Sequence, residues 1–183
     1  DVLSIYGETE DDLSGYSVAS GDLDNDGYDD VVIGAYNAYS TMGGTYVIMG
    51  YAGIKALNTI DLATHRDNTV IVYGRGDNDH SGGAVAARDL DGDNFDDLII
   101  GAPGGSNNFG ETNIFRGGTD FENVGIIYLG PPSFELLRVI GETADDQLGN
   151  AFSAGDLNGD GYHELIIGAS SANPADRNNA GET

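Results

Sequence analysis

Asp22-Leu23-Asp24-Asn25-Asp26-Gly27-Tyr28-Asp29-Asp30 recurs as Asp89-Leu90-Asp91-Gly92-Asp93-Asn94-Phe95-Asp96-Asp97. It recurs again as Asp156-Leu157-Asn158-Gly159-Asp160-Gly161-Tyr162-His163-Glu164. The first aspartates stand 67 residues apart each time, and positions 1, 3, 5 and 9 of every copy carry side-chain oxygens. Alternating hard oxygen donors around a tight turn suit a calcium ion. A fixed period means that one supersecondary unit has been copied.

Working outward, the same register aligns Ile5-Tyr6-Gly7 with Val72-Tyr73-Gly74 and Val139-Ile140-Gly141. Each acidic loop is followed by a short apolar run closed by Gly-Ala: Val31-Val32-Ile33-Gly34-Ala35, Leu98-Ile99-Ile100-Gly101-Ala102 and Leu165-Ile166-Ile167-Gly168-Ala169. Short β-branched runs bounded by turns read as buried strands. Before each loop, Tyr16–Ala19, Gly83–Ala86 and Asn150–Ser153 read as a preceding strand. Third strands are expected at Thr45–Met49 and Gly125–Leu129, and fourth strands at Thr69–Tyr73 and Leu136–Ile140. This pairing makes 51–68 and 104–122 loop insertions of compensating length, while the acidic loop stays constant.

The resulting expectation is an all-β chain of four-stranded blades, each with its acidic loop between the first and second strands. Residues 1–6 would be the last strand of a preceding blade, 7–73 blade one, 74–140 blade two and 141–183 an incomplete blade three. One, four, four and two strands leave the terminal blades incomplete. The chain is therefore expected to be part of a longer array, or to have its unpaired edges completed by neighbouring copies.

Charge narrows the partners. Against 31 acidic residues stand 7 basic ones, a net charge of -24, which disfavours nucleic acid and anionic membranes. Gly is abundant at 29 residues and Pro scarce at 4, as expected for many tight turns between strands. No cysteine is present, so no disulfide framework can form. No apolar run is long enough to cross a membrane as a helix.

The Asp-x-Asp-x-Asp spacing invites an EF-hand reading, but that loop needs a bidentate Glu at position 12 and flanking helices. Position 12 is Ile33, Ile100 and Ile167, and the flanks read as strands. The last carboxylate stands at position 9 instead. The ligand sets expected for three Ca²⁺ are Asp22, Asp24, Asp26, the Tyr28 carbonyl and Asp30; then Asp89, Asp91, Asp93, the Phe95 carbonyl and Asp97; then Asp156, Asn158, Asp160, the Tyr162 carbonyl and Glu164. A solvated acidic turn would explain one copy. Three copies in register argue for the ion.

Gly-Asp-Leu-x-x-Asp-Gly followed by Ile-Gly-Ala-Pro resembles the FG-GAP repeats of integrin α-subunit β-propellers and of microbial secreted proteins. The resemblance spans nearly the whole chain, about two and three-quarter repeats. It departs where Phe-Gly should stand (Gly15-Tyr16, Gly82-Gly83, Leu148-Gly149), and the missing cysteines point to a microbial secreted member. It implies propeller blades with structural calcium and an extracellular or cell-surface module in adhesion, protein interaction or extracellular structure. The alternatives are a non-catalytic propeller of a secreted hydrolase or lyase, or a self-assembling filament or surface-layer subunit. No Ser–His–Asp arrangement, nucleophile elbow or zinc spacing occurs, so no enzyme is expected. Arg75-Gly76-Asp77 spells an adhesion tripeptide but occupies the position of a polar turn after a strand.

Overall fold

The computed structural model describes residues 2–130, 137–174 and 177–183. The first repeat builds an antiparallel meander from β2 (Ser14–Gly21), β3 (Asp30–Ala35), β4 (Gly44–Ile48) and β6 (Thr69–Tyr73). The second repeat does the same with β7 (Ala84–Arg88), β8 (Asp97–Ala102), β9 (Glu111–Phe115) and β11 (Leu137–Ile140). The third begins with β12 (Leu148–Gly155) paired to β13 (Glu164–Ala169). The chain is nearly all β, and its sheets are propeller-type blades. Leu136, expected in the fourth strand, and residues 175–176 of the tail lie outside the described residues.

Sequence and structure part over the third strand of the second repeat. It is Glu111–Phe115, paired with β8, and not Gly125–Leu129. The ungapped period therefore runs on through Gly50 and Gly117, and both repeats carry their extra segment between the third and fourth strands.

Each extra segment contributes a further strand. In the second repeat β10 (Ile126–Tyr128) crosses back and adds parallel to the outer edge of β6, giving the order β10-β6-β4-β3-β2. In the first repeat β5 (Thr59–Asp61) pairs parallel with β1 (Ser4–Tyr6). The two pairings are the same one displaced by 67: Ser4↔Thr59 becomes Ile71↔Ile126, and Leu62 N–H donates to Tyr6 O as Leu129 N–H donates to Tyr73 O, at 3.1 and 3.0 Å. Ile60 and Leu62, like Ile127 and Leu129, bury their side chains beneath this strap. The second repeat thus laces itself onto the first blade, and the first repeat makes the same contact with β1.

The β3, β4 and β6 runs are continuously apolar because their sheet is covered on both faces. Val32, Val47, Val70 and Val72 meet Leu98, Ile100 and Phe115 of the second blade. The alternate residues Ile33, Tyr46, Ile48 and Ile71 pack with Ile60 and Leu62 on the other side. The Gly of Gly-Ala lets blades approach: a Cβ on Gly34 would meet Gly82 O at 2.1 Å, and one on Gly101 would meet Gly149 O at 1.9 Å.

The tail adds to the two strands expected of the third blade. Glu182 bridges antiparallel to Ala169, as Glu111 pairs Ala102. Gly181-Glu182-Thr183 repeats Gly110-Glu111-Thr112, so the chain is re-entering the third strand of blade three.

Candidate functional site

The three acidic loops lie at corresponding ends of the blades, between first and second strands. Their local fold follows from backbone N–H groups finding carboxylate acceptors. In loop one, Asp26 N–H donates to Asp22 Oδ1 and Asp24 Oδ1 (both 3.1 Å), Gly27 N–H to Asp22 Oδ2 (3.0 Å) and Tyr28 N–H to Asp26 Oδ1 (2.8 Å). Loop two repeats the pattern from Asp93, Asn94 and Phe95 onto Asp91, Asp89 and Asp93. Loop three repeats it from Asp160, Gly161 and Tyr162 onto Asn158, Asp156 and Asp160. The turn demands positive φ at Gly27, Asn94 and Gly161, at 90°, 70° and 95°.

This scaffold aims the side chains of positions 1, 3 and 5 at one point. Oxygens of Asp22, Asp24 and Asp26 lie within 4.8 Å of one another, as do those of Asp89, Asp91 and Asp93. An all-oxygen donor set of that compactness fits a hard divalent cation. Each oxygen that accepts an N–H keeps a further lone pair. Loop three offers Asp156 and Asp160 with the amide oxygen of Asn158 between them, one negative charge fewer.

Position 9 is placed differently. Asp30 is buried beneath its loop, where Oδ2 accepts Leu23 N–H (2.9 Å) and Oδ1 accepts Gly50 N–H (2.8 Å). Asp97 likewise holds Leu90 and Gly117 (both 3.2 Å), and Glu164 holds Leu157 N–H (2.8 Å) and the Asn158 amide (3.0 Å). These carboxylates tie the loop floor to the blade. Burial pushes Asp30 up to about 6 against those two donors, with the Asp24 and Asp22 charges adding to the rise. Burial raises Asp97 in the same way. At the open surface, the N–H groups of Gly159 and Gly161 hold Asp156 below the usual carboxylate range.

Position 8 turns to the preceding blade. Asp96 Oδ2 accepts Asp22 N–H at 3.1 Å while Asp96 N–H donates to Asp22 O at 2.9 Å. His163, one period on, sets Nδ1 3.4 Å from Asp89 O. Neighbouring loops are thereby clasped together. Arg116, at the end of β9, forms a close ion pair with Asp91. Met49 holds the corresponding place in the first repeat. Neither contact was read from the sequence; aligning Met49 with Arg116 through the unbroken period would have flagged the added cation.

At the other end of the blades, polar networks replace apolar packing. Tyr39 and Tyr46 hydroxyls donate to Glu8, which also pairs with Arg66. Burial opposes ionisation of Glu8, but these donors and the Arg66 charge win and hold it below its ordinary value. In the second repeat the sign is exchanged, for Arg75 stands where Glu8 did. The buried Glu111 pairs with Arg75 at 3.6 Å and Arg138 at 2.9 Å. Arg75 is thus bound back into the blade, and Asp79 accepts the N–H groups of Arg75 and Gly76 at 3.1 and 2.8 Å. Arg75-Gly76-Asp77 therefore serves as the turn that follows the fourth strand.

Comparison with known proteins agrees with this geometry. The FG-GAP repeat model matches residues 14–48, 81–115 and 148–183, and the chain belongs to that family. Among its relatives is integrin alpha-PS2 of Drosophila melanogaster, 32% identical over 92% of this chain and 11% of that protein. Integrin alpha pat-2 of Caenorhabditis elegans is 31% identical over 88% of the chain and 13% of its own length. Phosphatidylinositol-glycan-specific phospholipase D of Bos taurus is 31% identical over 85% and 18%. The chain thus spans less than a fifth of each of these relatives. Among the described residues no helix is long and apolar enough to cross a membrane.

Proposed function

We propose that this chain is a calcium-stabilised propeller module of an extracellular or cell-surface protein, working in adhesion or protein interaction. The observation that carries the reading is the threefold loop geometry: the same backbone donors orient the same oxygens in every copy. Asp22, Asp24 and Asp26, Asp89, Asp91 and Asp93, and Asp156, Asn158 and Asp160 would hold one Ca²⁺ each. The Tyr28, Phe95 and Tyr162 carbonyls and the position 9 carboxylates would complete the shells. The ion would supply only positive charge, so that carboxylates packed into one loop no longer repel. The role is structural. The chain's own residues orient the ligands, clasp adjacent loops through Asp96 and His163, and fix each loop floor. Residues 1–6, 7–73, 74–140 and 141–183 would be successive blade units, with residues 1–6 and β5 forming the outer edge of a preceding blade. Partners would be proteins, or further copies of the chain at exposed sheet edges.

A second reading is favoured by the match to phospholipase D over the same span: a non-catalytic propeller beside the catalytic part of a secreted enzyme. Thermal melts in chelator, excess Ca²⁺ and excess Mg²⁺ test the calcium role. Ca²⁺ should raise the Tm, and Mg²⁺, which dehydrates reluctantly, should raise it much less. Identical melts in all three would refute it.

A further inference from the structure

At the ends of the blades away from the acidic loops lies a cavity of about 390 Å³, built where three repeats converge. Its volume is within the range of roughly 300–1,000 Å³ found for small-ligand sites. One wall is a stack of three rings. Tyr16 lies on Tyr36 with centroids 4.6 Å apart and planes at 25°, and Tyr36 lies on His80 at 4.1 Å and 7°. His80 Nδ1 sits 3.3 Å from Tyr36 O, which fixes the imidazole on the stack. Tyr16 nevertheless remains 58% exposed.

The blade architecture does not require these rings. The position of Tyr16 is Gly83 and Asn150 in the other repeats, that of Tyr36 is Pro103 and Ser170, and that of His80 is Leu13 and Gln147. The positive φ of the corner is shared by all three repeats (Leu13 55°, His80 55°, Gln147 58°), so it belongs to the loop and not to a ligand. What distinguishes this junction is its side chains. The cavity is also lined by Asn78, Asn108, Gln147, Asn150 and Asp145, the Asn150 amide donating to Ser170 Oγ. Asn78 Oδ1 accepts Thr41 Oγ1–H and Gln147 Oε1 accepts Ser171 Oγ–H, both at 3.0 Å. Among the described residues both amides keep their NH₂ groups unengaged.

We propose that this cavity binds a neutral saccharide, one or two pyranose units of a glycan. A pyranose is amphipathic: one face presents C–H groups, which suit an exposed aromatic ring, and its rim presents hydroxyls that both donate and accept. Amides are matched donor–acceptor partners for such a rim, and Asp145 can accept from two vicinal hydroxyls. An anionic sugar is disfavoured by Asp145 and by the net charge of -24. A guanidinium ligand would find one carboxylate among four neutral amides, a poorer match. The proposal is independent of the calcium reading, because the acidic loops lie at the opposite ends of the strands.

The test is a titration of the whole chain with maltose, cellobiose, lactose and N,N′-diacetylchitobiose, followed by NMR of the Tyr16, Tyr36, His80 and Gln147 resonances. The expected result is saturable shifts of those residues with at least one disaccharide at millimolar concentration. Tyr16→Asn and Tyr36→Ser, each carrying the residue that the third repeat holds there, should weaken binding roughly five- to tenfold while preserving the amide spectrum. Tyr6→Ala, at an exposed ring elsewhere, should leave affinity unchanged. The proposal is overturned if no disaccharide moves these resonances. It is equally overturned if glycyl-arginine saturates the cavity while the sugars do not, or if both cavity variants bind as the parent does.

Discussion

Arg116→Met should strengthen calcium binding at the second loop. The guanidinium is paired with Asp91, whose oxygen belongs to the compact ligand cluster, and the first loop has Met49 at the corresponding place. A unit charge about 5 Å from a divalent ion in a water-like dielectric opposes it by about 1.7 kcal/mol, and salt reduces that to about 1 kcal/mol. Releasing Asp91 from a largely exposed pair adds roughly 0.2–1 kcal/mol. The sum, about 1–2 kcal/mol, is roughly a 5- to 30-fold gain in affinity. Arg116 is 55% exposed in its side chain, so the exchange leaves no buried void. The assay is a calcium titration read at the amide resonances of Asp93 and Asn94, with Gly27 and Gly161 as internal controls for the other loops. Unchanged or weakened affinity at the second loop would show that Arg116 does not sit in the field of the ion. The same reasoning ranks the first loop tightest, since Asn158 costs the third a charge and Arg116 offsets one in the second.

Asp26→Ala or Asp93→Ala should abolish binding at their own loops, whereas Asp96→Ala should leave loop two able to bind; equal losses by calorimetry would put the ligand register in error. Ile127→Ala, which empties a buried strap position, should lower unfolding stability by about 2–4 kcal/mol in a urea titration, and a negligible change would mean that the strap does not support the blade. The Glu8 carboxyl is held below its ordinary value of 4.5, so its contribution is present above that pH and lost as pH falls through the lower folded value. In chelator, the Tm gap between the parent and Glu8→Gln should therefore close on acidification below about 4.5, and a constant gap would contradict it.

The second strands were legible because their sheet is covered on both faces, which leaves Val32-Ile33 and Ile99-Ile100 as unbroken apolar runs. The second repeat's third strand was not. Glu111, Thr112 and Asn113 are polar yet buried, and the burial of Glu111 rests on Arg138 and Arg75, partners far away in sequence. The apolar stretch Gly125–Leu129 attracted the assignment, although only Ile127 and Leu129 of it are buried, the pattern of a covered edge strand. The equal spacing Gly34–Gly50 and Gly101–Gly117 carried the correct register. In the candidate metal site, positions 1, 3 and 5 converge as spacing alone requires of alternating side chains on a turn. The placement of Asp30 and Asp97 depends on backbone donors at the start of the loop and at the end of the third strand, about 20 residues on, and that of Asp96 on how blades stack, neither of which the loop's own pattern encodes.

Counting ions tests the central claim most directly. Native mass spectrometry of the calcium-equilibrated chain should show three bound Ca²⁺, and the paired change Asp22→Ala and Asp26→Ala should remove one ion and leave two. A chain that carries no calcium, or one whose count stays the same when the first loop loses both carboxylates, would contradict the account.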